Sequence, residues 1–284
     1  MQHLAPDAGI RHPLNLDARM SLQRNLVPDF PSCPLPAGEI QLSVTPLART
    51  RDLALADQYL ELLSPAEHAQ RLRFHFERDR HGYLTTRALV RTVLSRHVGI
   101  PPEELAFTAD AYGRPLLVNA GEAAQGITFN VSHSYDLVVC AVRTGGALGV
   151  DTENLQRGAS LDSAERYFAN VEAADLRALP VSRQQSRFLE LWTLKESYVK
   201  ARGFGLSLPL HDFGFRFPTE GELRPFFHNG DAPARWKFWQ WRFDADNLIA
   251  VCTHGDDRPR VVAHEVVPLH ASTGITLELL REST

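Results

Sequence analysis

Trp192-Thr193-Leu194-Lys195-Glu196-Ser197-Tyr198-Val199-Lys200 and, about forty residues earlier, Ala147-Leu148-Gly149-Val150-Asp151-Thr152-Glu153 are the stretches on which the reading of this chain turns. The earlier one is a short apolar strand that ends by presenting two acids. Residues i and i+2 of a strand point to one face, so Asp151 and Glu153 aim the same way. The later one is a helix on which Glu196 and Lys200, four apart, share a face. Three carboxylates and one ammonium can therefore converge from two elements. A hard divalent cation with bound phosphates needs such an oxygen-rich set.

Composition leaves room for that chemistry and excludes others. The 284 residues allow one large domain or two small ones, and 44% hydrophobic with 23% charged residues is ordinary for a globular protein. A net charge of −4 argues against broad nucleic-acid binding. No apolar run approaches the roughly 18 residues of a membrane span, and the first twenty residues lack a signal-peptide core. The three cysteines, Cys33, Cys140 and Cys252, show neither zinc-site nor disulfide spacing, which suggests a reducing, cytoplasmic location. No Gly-x-x-x-x-Gly-Lys-Ser/Thr run is present, so a P-loop is excluded.

Residues 1–37 carry Pro6, Pro13, Pro28, Pro31, Pro34 and Pro36 without periodicity and read as an irregular N-terminal arm. Alternation from Glu39 to Val44 predicts the first strand, followed by a helix near Asp52–Leu63. Ser64-Pro65-Ala66-Glu67 has the make-up of a capping box with Pro at the first helical position. A long helix is expected over Arg78–His97. Strands are expected at 126–131, 137–142 and 147–153, helices at 162–169, 172–178 and 183–202, and strands at 213–217, 236–243, 248–253 and 260–267. The order strand, helices, strands thus occurs once before about Thr144 and again after it. This predicts an α+β protein of two similar halves, 38–144 and 145–284, packed as a pseudo-dimer, with the acidic cluster in the second half. Small-molecule clefts favour such junctions.

Gly149-Val150-Asp151-Thr152-Glu153 followed by Trp192-x-x-Lys195-Glu196-x-x-x-Lys200 resembles the signature pair of the 4′-phosphopantetheinyl transferases of the surfactin-synthetase type. Three further segments resemble that family in order: Tyr112-Gly113-Arg114-Pro115-Leu116, Phe129-Asn130-Val131-Ser132-His133-Ser134, and Gly203-Phe204-Gly205-Leu206-Ser207-Leu208-Pro209-Leu210. The similarity runs from about Pro65 to Leu210. It implies the pseudo-dimeric fold and a reaction in which the phosphopantetheine arm of coenzyme A passes to a serine hydroxyl of an apo acyl, peptidyl or aryl carrier protein, leaving adenosine 3′,5′-bisphosphate. It also implies a monomer.

By the same resemblance Asp151, Glu153 and Glu196 are metal ligands for Mg²⁺ or Mn²⁺, and Asp151, Glu196 and Lys200 form the catalytic set. Lys200 would stand beside the phosphates. The proton acceptor is open between Glu196 or a water that it holds, Glu153 and a metal-bound hydroxide. Asn130, Ser132 and His133 would line the coenzyme A site, joined by Arg73, Arg87 and Arg114. Lys195 is placed there too, although it could equally meet only solvent. Trp192 reads as packing. Some bacterial relatives carry coenzyme A-contacting lysines where this chain has Glu67 and Gln70, which leaves the 3′-phosphate clamp open. Thr152 replaces the usual Ile but faces away from the acids.

Two other functions use the same residues. A metal-dependent nucleotide hydrolase would employ the acids and Lys200 with water as nucleophile. A non-catalytic relative would bind coenzyme A alone, and loss of any of the three acids would favour it. None is lost.

Overall fold

Thirteen strands among the described residues divide into two large sheets and one small ribbon. The computed structural model describes residues 33–158 and 163–283, so most of the expected arm at 1–37 lies outside the described residues. The first sheet has the order β12–β11–β1–β5–β4, built from β1 (Glu39–Pro46), β4 (Ile127–His133), β5 (Leu137–Thr144), β11 (Arg260–Val267) and β12 (Ala271–Ile275). The second has the order β6–β10–β9–β13–β8–β7. Its strands are β6 (Leu148–Asn154), β7 (Phe213–Arg216), β8 (Gly221–Phe227), β9 (Trp236–Arg242), β10 (Asn247–His254) and β13 (Glu278–Ser283). β2 (Phe107–Ala109) and β3 (Pro115–Leu117) pair by themselves around the Gly113-Arg114 turn.

Alternation along the strands sets the layers. Ile40, Leu42 and Val44 of β1 and Leu137, Val139 and Ala141 of β5 face Leu148 and Val150 of β6, Ile249 and Val251 of β10, and Trp239 and Trp241 of β9. This apolar layer joins the two sheets. The opposite face of β5, with Val138, Cys140 and Val142, packs on Leu89, Val90, Val93 and Leu94 of a 22-residue helix. The outer face of the second sheet, with Phe238, Leu248, Ala250 and Cys252, packs on Leu191, Leu194, Tyr198 and Ala201 of another 22-residue helix. Four layers result: helix, sheet, sheet, helix.

The helices are α1 (Leu53–Glu61), α2 (Pro65–Leu72), α3 (Glu77–Val98), α4 (Asn170–Ala178) and α5 (Val181–Arg202), with a short turn at Ala164–Tyr167 before α4. α2 starts as expected: the Glu67 N–H donates to Ser64 Oγ, and the Ser64 N–H donates to the Glu67 carboxylate at 2.9 Å. The α+β class holds.

Five strands, β2, β3, β8, β12 and β13, have no counterpart in the sequence expectations. β8 contains Pro225, and β12 (Ala-Ser-Thr-Gly-Ile) lies exposed at a sheet edge, so neither shows half-buried alternation. The boundary near residue 144 is also crossed. β11 pairs in parallel with β1, bringing Arg260 opposite Glu39, and Thr45 Oγ1 donates to the Val266 carbonyl at 2.7 Å. Residues from the second segment therefore complete the first segment's sheet.

Candidate active site

The edges of the two sheets meet along β4 and β6. The Asn130 side chain spans them, its Oδ1 accepting from the Val150 N–H at 3.0 Å. On β6 the odd positions Gly149, Asp151 and Glu153 face away from the inter-sheet layer that takes Leu148 and Val150. Helix α5 crosses this face. Gly149 permits a close approach, because a Cβ there would collide with the Ser197 carbonyl and the Ala201 N–H of α5.

That approach brings Lys200 to Asp151. The ammonium donates to Asp151 Oδ1 at 2.7 Å and to Ser132 Oγ at 2.7 Å, while Ser132 Oγ donates to Asp151 Oδ1 at 2.8 Å. Ser132 and Asp151 are buried. Asp151 Oδ2 is also buried and has no hydrogen-bond partner among the described residues. Glu153 turns to Arg157, which meets both its oxygens at 2.7 and 2.9 Å.

Charge accumulates here at low solvation. Burial, with the negative charge of Asp151, pushes the Glu196 carboxyl up to about 7, and Glu153 adds to the rise while Lys200 opposes it. Burial and Asp151 also push Glu153 up, against Arg157 and Lys200. Burial and the Lys200 charge lower His133. The three acids thus repel one another through a buried region, and the set is short of positive charge.

Among the described residues no three His, Cys, Asp or Glu side chains stand close enough together to hold a metal ion as posed. Glu153 is drawn off by Arg157, and one oxygen of Asp151 is taken by Lys200 and Ser132. The residues nevertheless fit a divalent cation. Their donors are all oxygen, the charge of Asp151 raises the proton affinity of Glu153 and Glu196, and Asp151 Oδ2 is a buried acceptor with no donor among the described residues.

Two cavities open on this cluster. The larger, about 1090 Å³, is lined by Asp151, Glu153, Lys200, Ser132, His133 and Arg87 among others. The smaller, about 270 Å³, is bounded by Glu196, Lys200, Asn130 and Arg114. Asp151, Glu153, Glu196, Lys200, Asn130, Ser132, His133, Arg87 and Arg114 therefore share one neighbourhood.

Two expected ligand-binding residues do not join them. Lys195 is fully buried and salt-bridged to Glu172 at 2.8 Å, so it reaches neither phosphate nor solvent. Arg73 is exposed at the end of α2, bonds to Gln70, and lines neither cavity. Arg87 lines the cavity beside Glu67 (3.7 Å) and over the Tyr83 ring. Glu67 itself bonds Arg91 at 2.6 Å, which explains an acid where some bacterial relatives carry lysine: it is a structural counter-ion. Trp192 stacks on Phe188 and meets Tyr167 edge-on, as packing. Thr152 Oγ1 donates to the Leu248 carbonyl, away from the acids.

Other cavity residues escaped sequence reasoning. Arg157 had no motif around it. Arg78 lies 4.4 Å over the Tyr135 ring, and Asn154 Nδ2 donates to Asp136 Oδ2 at 2.6 Å, each pair joining segments far apart in sequence. Trp192 and Lys200 are legible in the sequence because helical spacing alone relates them to Glu196.

Two buried carboxylates, a half-buried carboxylate and ammonium, and an exposed histidine at the mouth of a large cavity are the make-up of a phosphate-handling site on an α+β scaffold. The comparisons with known proteins narrow this class. Residues 147–252 match the family described as the 4′-phosphopantetheinyl transferase superfamily, and residues 53–145 match the N-terminal region of a 4′-phosphopantetheinyl transferase family. The 4′-phosphopantetheinyl transferase Sfp of Bacillus subtilis is 32% identical over 203 residues, 72% of this chain and 87% of the relative. The 4′-phosphopantetheinyl transferase HetI of Nostoc is 34% identical over 191 residues, 66% of this chain and 78% of the relative. Among solved structures, the holo-[acyl-carrier-protein] synthase of Thermotoga maritima covers 38% of this chain at 20% identity with a TM-score of 0.32, too slight a likeness to bear on the fold. The chain belongs to the 4′-phosphopantetheinyl transferases. No helix among the described residues is long and apolar enough to cross a membrane.

Proposed function

We propose that the cleft between β4, β6 and α5 is where this transferase moves the 4′-phosphopantetheine moiety of coenzyme A to a serine hydroxyl of an apo carrier protein. Family membership carries the reaction. The convergence of Asp151, Lys200 and Ser132 within 2.8 Å of one another, beside Glu196 and His133, supports the place.

In the reaction the serine Oγ forms a bond to the β-phosphorus, the bridging P–O bond breaks, and adenosine 3′,5′-bisphosphate leaves with the electron pair. Lys200 places a fixed ammonium where that charge develops, and it costs no reorganisation because Asp151 and Ser132 already orient it. Arg87 and Arg114 supply further cations along the walls, and the His133 ring is a donor at the cavity mouth. The serine proton passes to a carboxylate oxygen of Glu196 or Glu153. Asp151, Glu153 and Glu196 would hold Mg²⁺ or Mn²⁺, which neutralises pyrophosphate charge when bound.

The layering, with one 22-residue helix outside each sheet, supports a pseudo-dimeric reading in which the first half, 38–144, takes β11 and β12 from the second, 145–284. A monomer acting in the cytoplasm is consistent with this reading. The test is intact mass of an apo acyl carrier protein incubated with coenzyme A, Mg²⁺ and the protein. A gain of one phosphopantetheine, absent with Asp151→Ala and Glu196→Ala, is expected; release of phosphate without carrier modification would favour a hydrolase instead.

A further inference from the structure

Lys195 and Glu196 are adjacent on α5 but face different surroundings. Glu196 faces the smaller cavity, whereas Lys195 points into the outer core with no exposed side-chain area. There every polar atom of its network is used. The ammonium meets Glu172 Oε2 at 2.8 Å, the Leu210 carbonyl at 2.8 Å and the Phe213 carbonyl at 2.5 Å. Glu172 accepts from the Ala169 and Phe215 N–H groups, both at 2.9 Å. The Phe213 ring lies 4.5 Å from the ammonium and the Phe168 ring 5.7 Å. Gly214 leaves no slack, since a Cβ there would come within 2.6 Å of the Glu172 carboxyl carbon.

Such a pair is a poor way to gain stability. Burial pushes the Glu172 carboxyl up and the Lys195 ammonium down, each partner restraining the other's shift, and apolar replacements of buried pairs are often equally stable. What the pair supplies is direction. Apolar packing of Leu191, Leu194 and Tyr198 tolerates small rotations of a helix, but three hydrogen bonds to one ammonium do not. Consecutive helical residues are about 100° apart around the axis, so holding Lys195 also holds Glu196.

We propose that Lys195 and Glu172 are positioning residues for the transfer reaction: their buried pair sets the rotation of α5 about its axis, and thereby aims Glu196 and Lys200 at Asp151. The proposal rests on the transferase reading and extends it to residues outside the cleft.

The test compares the full-length protein with the double variant Lys195→Met/Glu172→Gln, measuring kcat and KM for coenzyme A per folded molecule well below the melting temperature, with circular dichroism as the measure of folding. Loss of aim lowers kcat by about tenfold or more, with KM for coenzyme A within about threefold of wild type. A merely structural role would lower the melting temperature and leave kcat per folded molecule at the wild-type value, which overturns the proposal. If the double variant does not fold, Glu172→Gln alone, which retains shape and an acceptor, is read by the same criterion. A wild-type protein that modifies no carrier sinks the transferase reading; an active wild type with an equally active folded variant sinks only the positioning role.

Discussion

Gly149 and Ser197 meet backbone to backbone: a single added Cβ on the strand would occupy the space of the helix carbonyl. This contact sets the depth at which α5 lies on β6, and so whether Lys200 reaches Asp151. Gly149→Ala must lift the helix or bend the strand. Overpacking of this kind costs about 1–3 kcal/mol. We expect a lower melting temperature and, in the folded fraction, a larger loss of transfer activity than the stability change explains. An alanine variant with wild-type kcat would show that the approach is not needed.

Lys200 is the cation paired with the buried Asp151. Lys200→Met keeps the stem and removes the charge, leaving Asp151 without its counter-ion. Transfer should slow by about a hundredfold, as when one preorganised donor is lost from a transition-state site. Single-turnover kinetics on the folded variant checks this, and a change confined to KM would assign Lys200 to ground-state binding alone.

Metal dependence is read through Glu153. Chelation with EDTA should abolish carrier modification and Mg²⁺ should restore it. Glu153→Ala should raise the Mg²⁺ concentration needed for half-maximal rate about tenfold, with KM for the carrier protein unchanged. A variant with the wild-type Mg²⁺ requirement would remove Glu153 from the ligand set.

Arg87 and Arg73 separate two kinds of arginine. Arg87 lines the large cavity and Arg73 does not. Arg87→Ala should raise KM for coenzyme A about tenfold, the worth of one charge-assisted hydrogen bond, and Arg73→Ala should leave it unaltered. Isothermal titration with coenzyme A distinguishes them, and equal effects would contradict the placement.

Glu67 makes stability depend on pH. Burial alone would raise its carboxyl, but the Ser64 N–H and the Arg91 and Arg87 charges outweigh it and hold it below the ordinary 4.5. A group with a depressed folded-state value stabilises above its unfolded value, and this contribution is lost as pH falls through the folded one. Glu67→Gln should therefore cost about 2 kcal/mol near neutral pH, and the gap from wild type should close as pH falls below about 4.5. Urea unfolding at pH 7 and at pH 4 measures it; a gap that widens in acid would mean the ion pair is not the source.

Local features were legible in the residues because local physics makes them. Period-two alternation marked β1, short continuous apolar runs marked β5 and β10, Ser64 and Glu67 announced α2, and the i, i+2 and i, i+4 rules placed Asp151 beside Glu153 and Glu196 beside Lys200. The tertiary structure alone decided which charge faced which surroundings. Helix α5 is enclosed on most of its circumference, so spacing could not tell that Lys195 turns inward to Glu172 while its neighbour Glu196 turns to the cleft. The pairing of β11 with β1 likewise joins distant partners through folded geometry. A side chain's period reports its direction around its own element, whereas its burial and its counter-ion are set by whatever distant segment packs there.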